Sequence, residues 1–128
     1  MACVLDTNIA IDLRDGDAAI LAKVAALDDA LLLSIISRVE LEGGVHRDPA
    51  LAALRRPRLD AILNALPVLA FDDACADAYR GIVEAVGYSR RKLLDRMIAA
   101  QALAHHARLV TRNGDDFRDI PGLALLEW

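Results

Sequence analysis

Apolar runs too short to be helices alternate with longer stretches of helical periodicity along the whole chain, and that rhythm restricts the fold more than any other feature. Runs at 2–5, 31–34, 68–70, 108–111 and 123–126 are expected to be strands. Residues 7–14, 17–26, 37–46, 50–66, 73–86 and 93–106 carry helical spacing, with Gly16 and Gly87 as stops and Pro57 as a point of interruption. The 37–46 helix is expected to open on a capping box, Ser37-Arg38-Val39-Glu40. Strands separated by helices predict an α/β architecture: a central, mostly parallel sheet of about five strands flanked by helices, with right-handed crossovers.

At 128 residues the chain is expected to form one domain, 1–128, with a core of useful size. No apolar run approaches the ~20 residues that cross a bilayer. The N-terminus lacks a basic segment and meets Asp6 too early for a secretory signal, so a cytoplasmic location without a membrane is expected. A net charge of −4 excludes coating of nucleic acid by bulk charge, leaving RNA or DNA contact to local arginines. Arginine dominates the 15 basic residues, Lys23 and Lys92 being the exceptions. Cys3 and Cys75 lie in apolar surroundings and read as buried reduced thiols.

Ligands of such sheets bind beyond the carboxyl ends of the strands. Asp6 follows the first strand, and Glu40 lies on the first turn of the helix after the second. Asp95 lies on the first turn of the helix before the fourth strand, and Thr111-Arg112-Asn113-Gly114-Asp115-Asp116-Phe117 follows that strand. Each acid has a local explanation: Asp6 as cap of the helix starting at Thr7, Glu40 as half of the capping box, Asp95 as a charge at a helix N-terminus, Asp116 as part of a cap with Asn113. Together they would sit at one edge of one sheet, where four carboxylates repel one another and raise each other's pKa values. A hard divalent cation resolves that repulsion, and Mg²⁺ suits oxygen ligands with retained waters. Thr7, Asn8, Ser37, Thr111 and Asn113 are placed to orient ligands or water, and Arg112 lies among the same loops.

Other groups point less clearly. His46, His105 and His106 fall near helix ends, and no zinc spacing, phosphate-cradling glycine loop or nucleophile elbow occurs. Arg90-Arg91-Lys92 reads as a solvated loop or a phosphate contact. Arg55-Arg56-Pro57-Arg58 is similar, with less reason to lie near the acids.

LDTN at 5–8, SIISRVELEGG at 34–44, LLDRMIAAQAL at 93–103, LVTRNGDDF at 109–117 and the ending PGLALLEW occur in the order and spacing of a known family. Over nearly its whole length the chain resembles the PIN-domain nucleases, specifically the VapC-like toxins of prokaryotic toxin–antitoxin pairs. The resemblance implies a PIN-like three-layer fold. It places Asp6, Glu40, Asp95 and Asp116 on the family's acidic positions, with Asp6, Asp95 and Asp116 as metal ligands. Asp115 competes with Asp116 for the fourth position, and the following Phe117 favours Asp116. The implied activity is Mg²⁺-dependent endoribonuclease cleavage, with Mn²⁺ as a substitute, in which a metal-activated water attacks the RNA phosphodiester. The implied partners are RNA, a VapB-like antitoxin and a second copy in a homodimer. The antitoxin is expected as a short chain that lies along the helices within 7–26 and 50–66 and inserts a cation among the acids.

Two other classes compete. A haloacid-dehalogenase-like phosphatase also starts with an Asp after its first strand, but needs a second Asp two residues on, where Asn8 stands, and a lysine near the site, for which neither Lys23 nor Lys92 looks well placed. A non-catalytic PIN-fold binding module has no need of four intact acids.

Overall fold

The computed structural model describes residues 1–128. Its elements run β1 (Ala2–Leu5), α1 (Thr7–Asp15), α2 (Ala18–Ala26), β2 (Ala30–Ser34), α3 (Ile35–Arg47), a 3₁₀ turn (Pro49–Leu51), α4 (Ala52–Ala65), β3 (Val68–Leu69), α5 (Asp73–Val86), α6 (Leu93–Ala104), β4 (Arg108–Thr111), a second 3₁₀ turn (Gly114–Asp116) and β5 (Leu125–Glu127). The five strands form one sheet in the order β3-β2-β1-β4-β5, and every pairing is parallel.

The strands are apolar on both faces because both faces are covered. Val4 and Leu109 turn to one side and pack with Ile82 of α5, Ile98 of α6, Phe117 and Ile120. Cys3, Leu5 and Val110 alternate to the other side, against Ile9 of α1 and Ile20 of α2. Leu33 extends that second layer into a cluster with Leu41 and Val45 of α3 and Leu59 and Ile62 of α4. Fully buried Ala99, Ala100 and Ala102 keep α6 thin where it lies on the sheet. Cys3 and Cys75 are buried and unpaired, as expected. No helix is long and apolar enough to cross a membrane.

Several boundaries differ from expectation. The 31–34 strand runs into α3 without a loop, so the helix starts at Ile35. Its cap is Ser34, whose hydroxyl accepts the Ile36 amide at 3.0 Å, and the expected capping box at Ser37 does not form. Pro57 leaves α4 unbroken. It lies on the exposed face, where one missing amide hydrogen bond is tolerated. The helix expected to reach 106 ends at Ala104, and His106 turns the chain with φ of +52°.

Gln101, buried on α6, is a fold determinant without a sequence signal. Its amide nitrogen donates to the carbonyls of Leu69 (3.0 Å) and Ala70 (3.1 Å), and its oxygen accepts from the Ser34 hydroxyl. One side chain therefore fastens the two-residue edge strand β3 to α6 and to the cap of α3. Gln101→Ala leaves these groups without partners in a dry interior. It is expected to lower stability by about 2–4 kcal/mol, read from urea unfolding midpoints at unchanged slope.

Candidate active site

The sheet order reverses at β1, whose neighbours β2 and β4 belong to opposite halves of the chain. The crevice beyond that switch point is where a sheet of this kind binds ligands. Asp6 occupies it. Its backbone amide donates to the Val110 carbonyl at 2.9 Å, continuing the β1–β4 pairing by one step. Its carboxylate is 4% exposed and held at both oxygens: Oδ1 accepts the Thr7 amide and Oδ2 the Thr111 hydroxyl, each at 2.8 Å. Asp6 is thus the N-cap of α1 and the centre of the crevice at once. Burial pushes its pKa up, and the charge of Asp116 adds to that. The Thr111 hydroxyl, the Thr7 amide and the charge of Arg112 pull the other way.

Thr7 links Asp6 to the second acid, its backbone amide on Asp6 and its hydroxyl on Glu40. Thr7 Oγ1 donates to Glu40 Oε1 at 2.9 Å and lies 2.8 Å from Ser37 Oγ. With the Thr7 proton committed to Glu40, Ser37 is the donor to Thr7. Ser37 and Glu40 are thus functional neighbours of Asp6 rather than a cap. Glu40 itself is exposed on the first half of α3.

Asp95, on the first turn of α6, carries the clearest electrostatic signature. Burial, then the charges of Asp6, Asp116 and Glu40, push its pKa up to about 6, with Lys92 opposing. The other three acids therefore all bear on Asp95 at one edge of the sheet. Lys92, expected in a solvated loop or at a phosphate, bears on Asp95 as well.

The fourth acid comes from the turn after β4. Asp116 is exposed and bears on both Asp6 and Asp95, whereas Asp115 points away into an ion pair with Arg118. Arg118 also holds Glu127 of β5 at 2.6 Å. The Glu127 carboxylate occupies the space where a side chain on Gly114 would begin, so a larger residue there would have to displace the end of that side chain from Arg118. Thr111 accepts the Asn113 amide at 3.0 Å while donating to Asp6. The Asn113 and Asn8 side chains make no hydrogen bond within the protein. Arg112 reaches back to Asp12 of α1 at 2.9 Å. Arg90 and Arg91 are exposed in the loop before α6.

The donor set is all oxygen, negatively charged and short of cations, which fits a hard divalent ion. No three of the carboxylates stand at the spacing of a ready-made metal cage. Mg²⁺ does not need one, since it keeps several waters and takes one or two carboxylates directly.

The raised Asp95 pKa has a consequence for stability. The folded protein holds this proton more tightly than the unfolded chain, so the ionised form opposes folding. That penalty is absent below the ordinary value of 3.8, grows as pH rises towards about 6, and is complete above it. In metal-free protein Asp95→Asn is expected to raise the melting temperature relative to wild type at pH 8, the gain shrinking to nothing near pH 4 in a thermal series.

A PIN domain family model matches residues 3–123. Ribonuclease VapC2 of Rickettsia felis is 29% identical over 144 aligned positions, covering 100% of this chain and 98% of that protein. Among solved structures, VapBC2 from Rickettsia felis bound to a promoter DNA fragment superposes with a TM-score of 0.86 at 27% identity, over 100% of this chain and 99% of its counterpart. VapBC-1 from nontypeable Haemophilus influenzae gives 0.80 at 27%, over 100% and 98%. With an all-parallel sheet, four acids gathered at its switch point and a family match across nearly the full length, the chain belongs to the PIN-domain family.

Proposed function

We propose that this protein is a VapC-type toxin: a metal-dependent endoribonuclease whose cleavage of RNA is restrained by a VapB-like antitoxin. The observation that carries this reading is the set of four carboxylates from four separate segments at one edge of the sheet, in which burial pushes up the pKa of Asp6 and Asp95 and the charges of Asp6, Asp116 and Glu40 push that of Asp95 further. Such a set opposes folding unless a cation uses it. Asp6, Asp95 and Asp116 would hold Mg²⁺, or Mn²⁺ in its place, and Glu40 would position the attacking water. When bound, the ion supplies Lewis-acid stabilisation of phosphate charge and acidifies water near neutral pH.

The protein's own residues do the rest. Thr111 and the Thr7 amide fix both lone-pair faces of Asp6, so the carboxylate cannot rotate. Thr7 holds the Glu40 carboxylate by one oxygen and is itself braced by Ser37, leaving the other oxygen free to accept a proton from water. The side-chain amides of half-buried Asn8 and exposed Asn113, with no internal partner, are free to contact the RNA strand. The phosphatase alternative is not favoured, because Asn8 occupies the place of its second acid. We place the activity in the cytoplasm, on a homodimer.

The antitoxin reading rests on a second surface. An apolar groove of about 480 Å³ lies between α1, α2 and α4, lined by Leu13, Leu21, Val24, Ile62 and Leu66. It falls within the helices expected to receive the antitoxin. A segment that folds on binding would lay apolar side chains there and bring an arginine to the acids.

Three outcomes are expected. Asp6→Asn should abolish cleavage of RNA by the purified protein yet leave the metal-free fold as stable as wild type, since asparagine keeps the cap to Thr7. Mg²⁺ should raise the melting temperature, by a stabilisation of about 2.7 kcal/mol at a hundred times Kd, and the triple change Asp6→Asn, Asp95→Asn, Asp116→Asn should erase that shift. Leu21→Asp, on a residue 44% exposed in the groove, should weaken capture by the co-expressed antitoxin while RNA cleavage persists. Retained cleavage in Asp6→Asn would overturn the assignment.

A further inference from the structure

A second, polar cleft of about 770 Å³ opens beside Glu40, between α1, α3 and the start of α4. Two helix faces build it. Thr7, Ile11 and Arg14 lie on one face of α1, at intervals of four and three residues, and Glu40, Gly44 and Arg47 repeat that spacing on α3. Arg55 of α4 closes the far side. The cleft therefore begins at the hydroxyl-linked pair Thr7–Glu40 in the active site and ends, about 10 Å further along α1, at arginines.

Arg14 is the group that the catalytic site leaves unexplained. Its side chain is only 4% exposed, a rare position for a charge. Nε pairs with Asp15 at 3.0 Å, but neither terminal nitrogen has an acceptor in the protein. One of them lies against Gly44, where an added side-chain carbon would come within 3.0 Å of it. Glycine at 44 thus leaves room for the guanidinium at the cleft wall. Arg47 makes no ion pair or hydrogen bond, while Arg55 spends one nitrogen on the Gly44 carbonyl at 2.8 Å. The cleft also contains three acids, each already engaged: Asp15 by Arg14, Asp48 by the Ala50 amide at 3.1 Å, and Glu40 by Thr7. The donors left without a protein acceptor are cationic and forked, the geometry that matches a phosphate.

We propose that Arg14 and Arg47, with Arg55 beside them, form a subsite for a non-scissile phosphate of the RNA backbone, one that threads from the acid cluster along the α1–α3 cleft. The assignment rests on the nuclease reading above. The subsite fixes the register of the strand, so that a neighbouring phosphodiester is presented to the acids. It also accounts for binding of a polyanion by a protein of net charge −4, through a local track rather than overall charge.

The test uses a single-stranded RNA cut at one mapped position and a series in which each other phosphate is replaced singly by a neutral methylphosphonate. For wild type, one or two neutral replacements near the cut should raise KM about tenfold. Arg47→Glu should raise KM for the unmodified RNA to a similar degree with kcat little changed. It should flatten the log–log salt dependence of binding by about 0.7 for each phosphate it no longer neutralises, and it should be indifferent to those same replacements. Arg14→Lys, which keeps the charge but not the fork, should show a weaker form of this pattern at a wild-type melting temperature. Arg80→Glu, on the far surface of α5, is the control for bulk charge. If Arg47→Glu retains the wild-type KM, or responds to every replacement as wild type does, the subsite is wrong though the nuclease stands. If Arg47→Glu impairs antitoxin capture alone, the cleft seats the inhibitor and the proposal also falls. A wild-type protein that cuts no RNA with Mg²⁺ or Mn²⁺ overturns both readings.

Discussion

The carboxylate of Asp6 is the constraint around which the rest of the molecule is arranged. A nearly buried charge has to be held by donors, and its two donors come from opposite directions: the helix that follows it and the end of a strand more than a hundred residues later. Satisfying Asp6 therefore requires β1 and β4 to be neighbours and α1 to start at once. The same arrangement opens the crevice in which the other acids gather. Cap, sheet order and site share one pair of hydrogen bonds.

Around that centre, the layers divide the labour. The α5–α6 side brings Asp95 on a helix thinned by alanine, while the α1–α4 side brings Glu40 through the hydroxyls of Thr7 and Ser37. The acids thus approach Asp6 from both faces of the sheet. Neither face alone would assemble the site, so any change that loosens one layer from the sheet should be felt in the electrostatics of the other.

Much of this was legible in the chain. The strands and the parallel sheet followed from short, mainly apolar runs between helical stretches, and the gathering of the four acids from their places after strands or on the first turns of neighbouring helices. What escaped depended on contacts that sequence spacing does not encode. Ser34 and Ser37 are both good caps, and only the absence of a loop after β2 selects the first. Asp115 and Asp116 differ in their partner, Arg118, which pulls the former outward. Arg55 looked remote because its distance along the chain hides the return of α4 against α3, where it meets Gly44. Gln101 carries no signal in the sequence, yet it sits at zero exposure with every polar atom engaged.

The two outermost strands, β3 and β5, are only two and three residues long. A parallel sheet ends in rows of unpaired backbone groups to which a foreign strand can add. Here those rows are too short to template much pairing, and β3 is further committed to Gln101 at the Leu69 carbonyl. A protein that leaves an apolar groove open between α1, α2 and α4 has good reason to keep its sheet closed to growth. The truncated margins withhold the template on which such edge-to-edge growth would start.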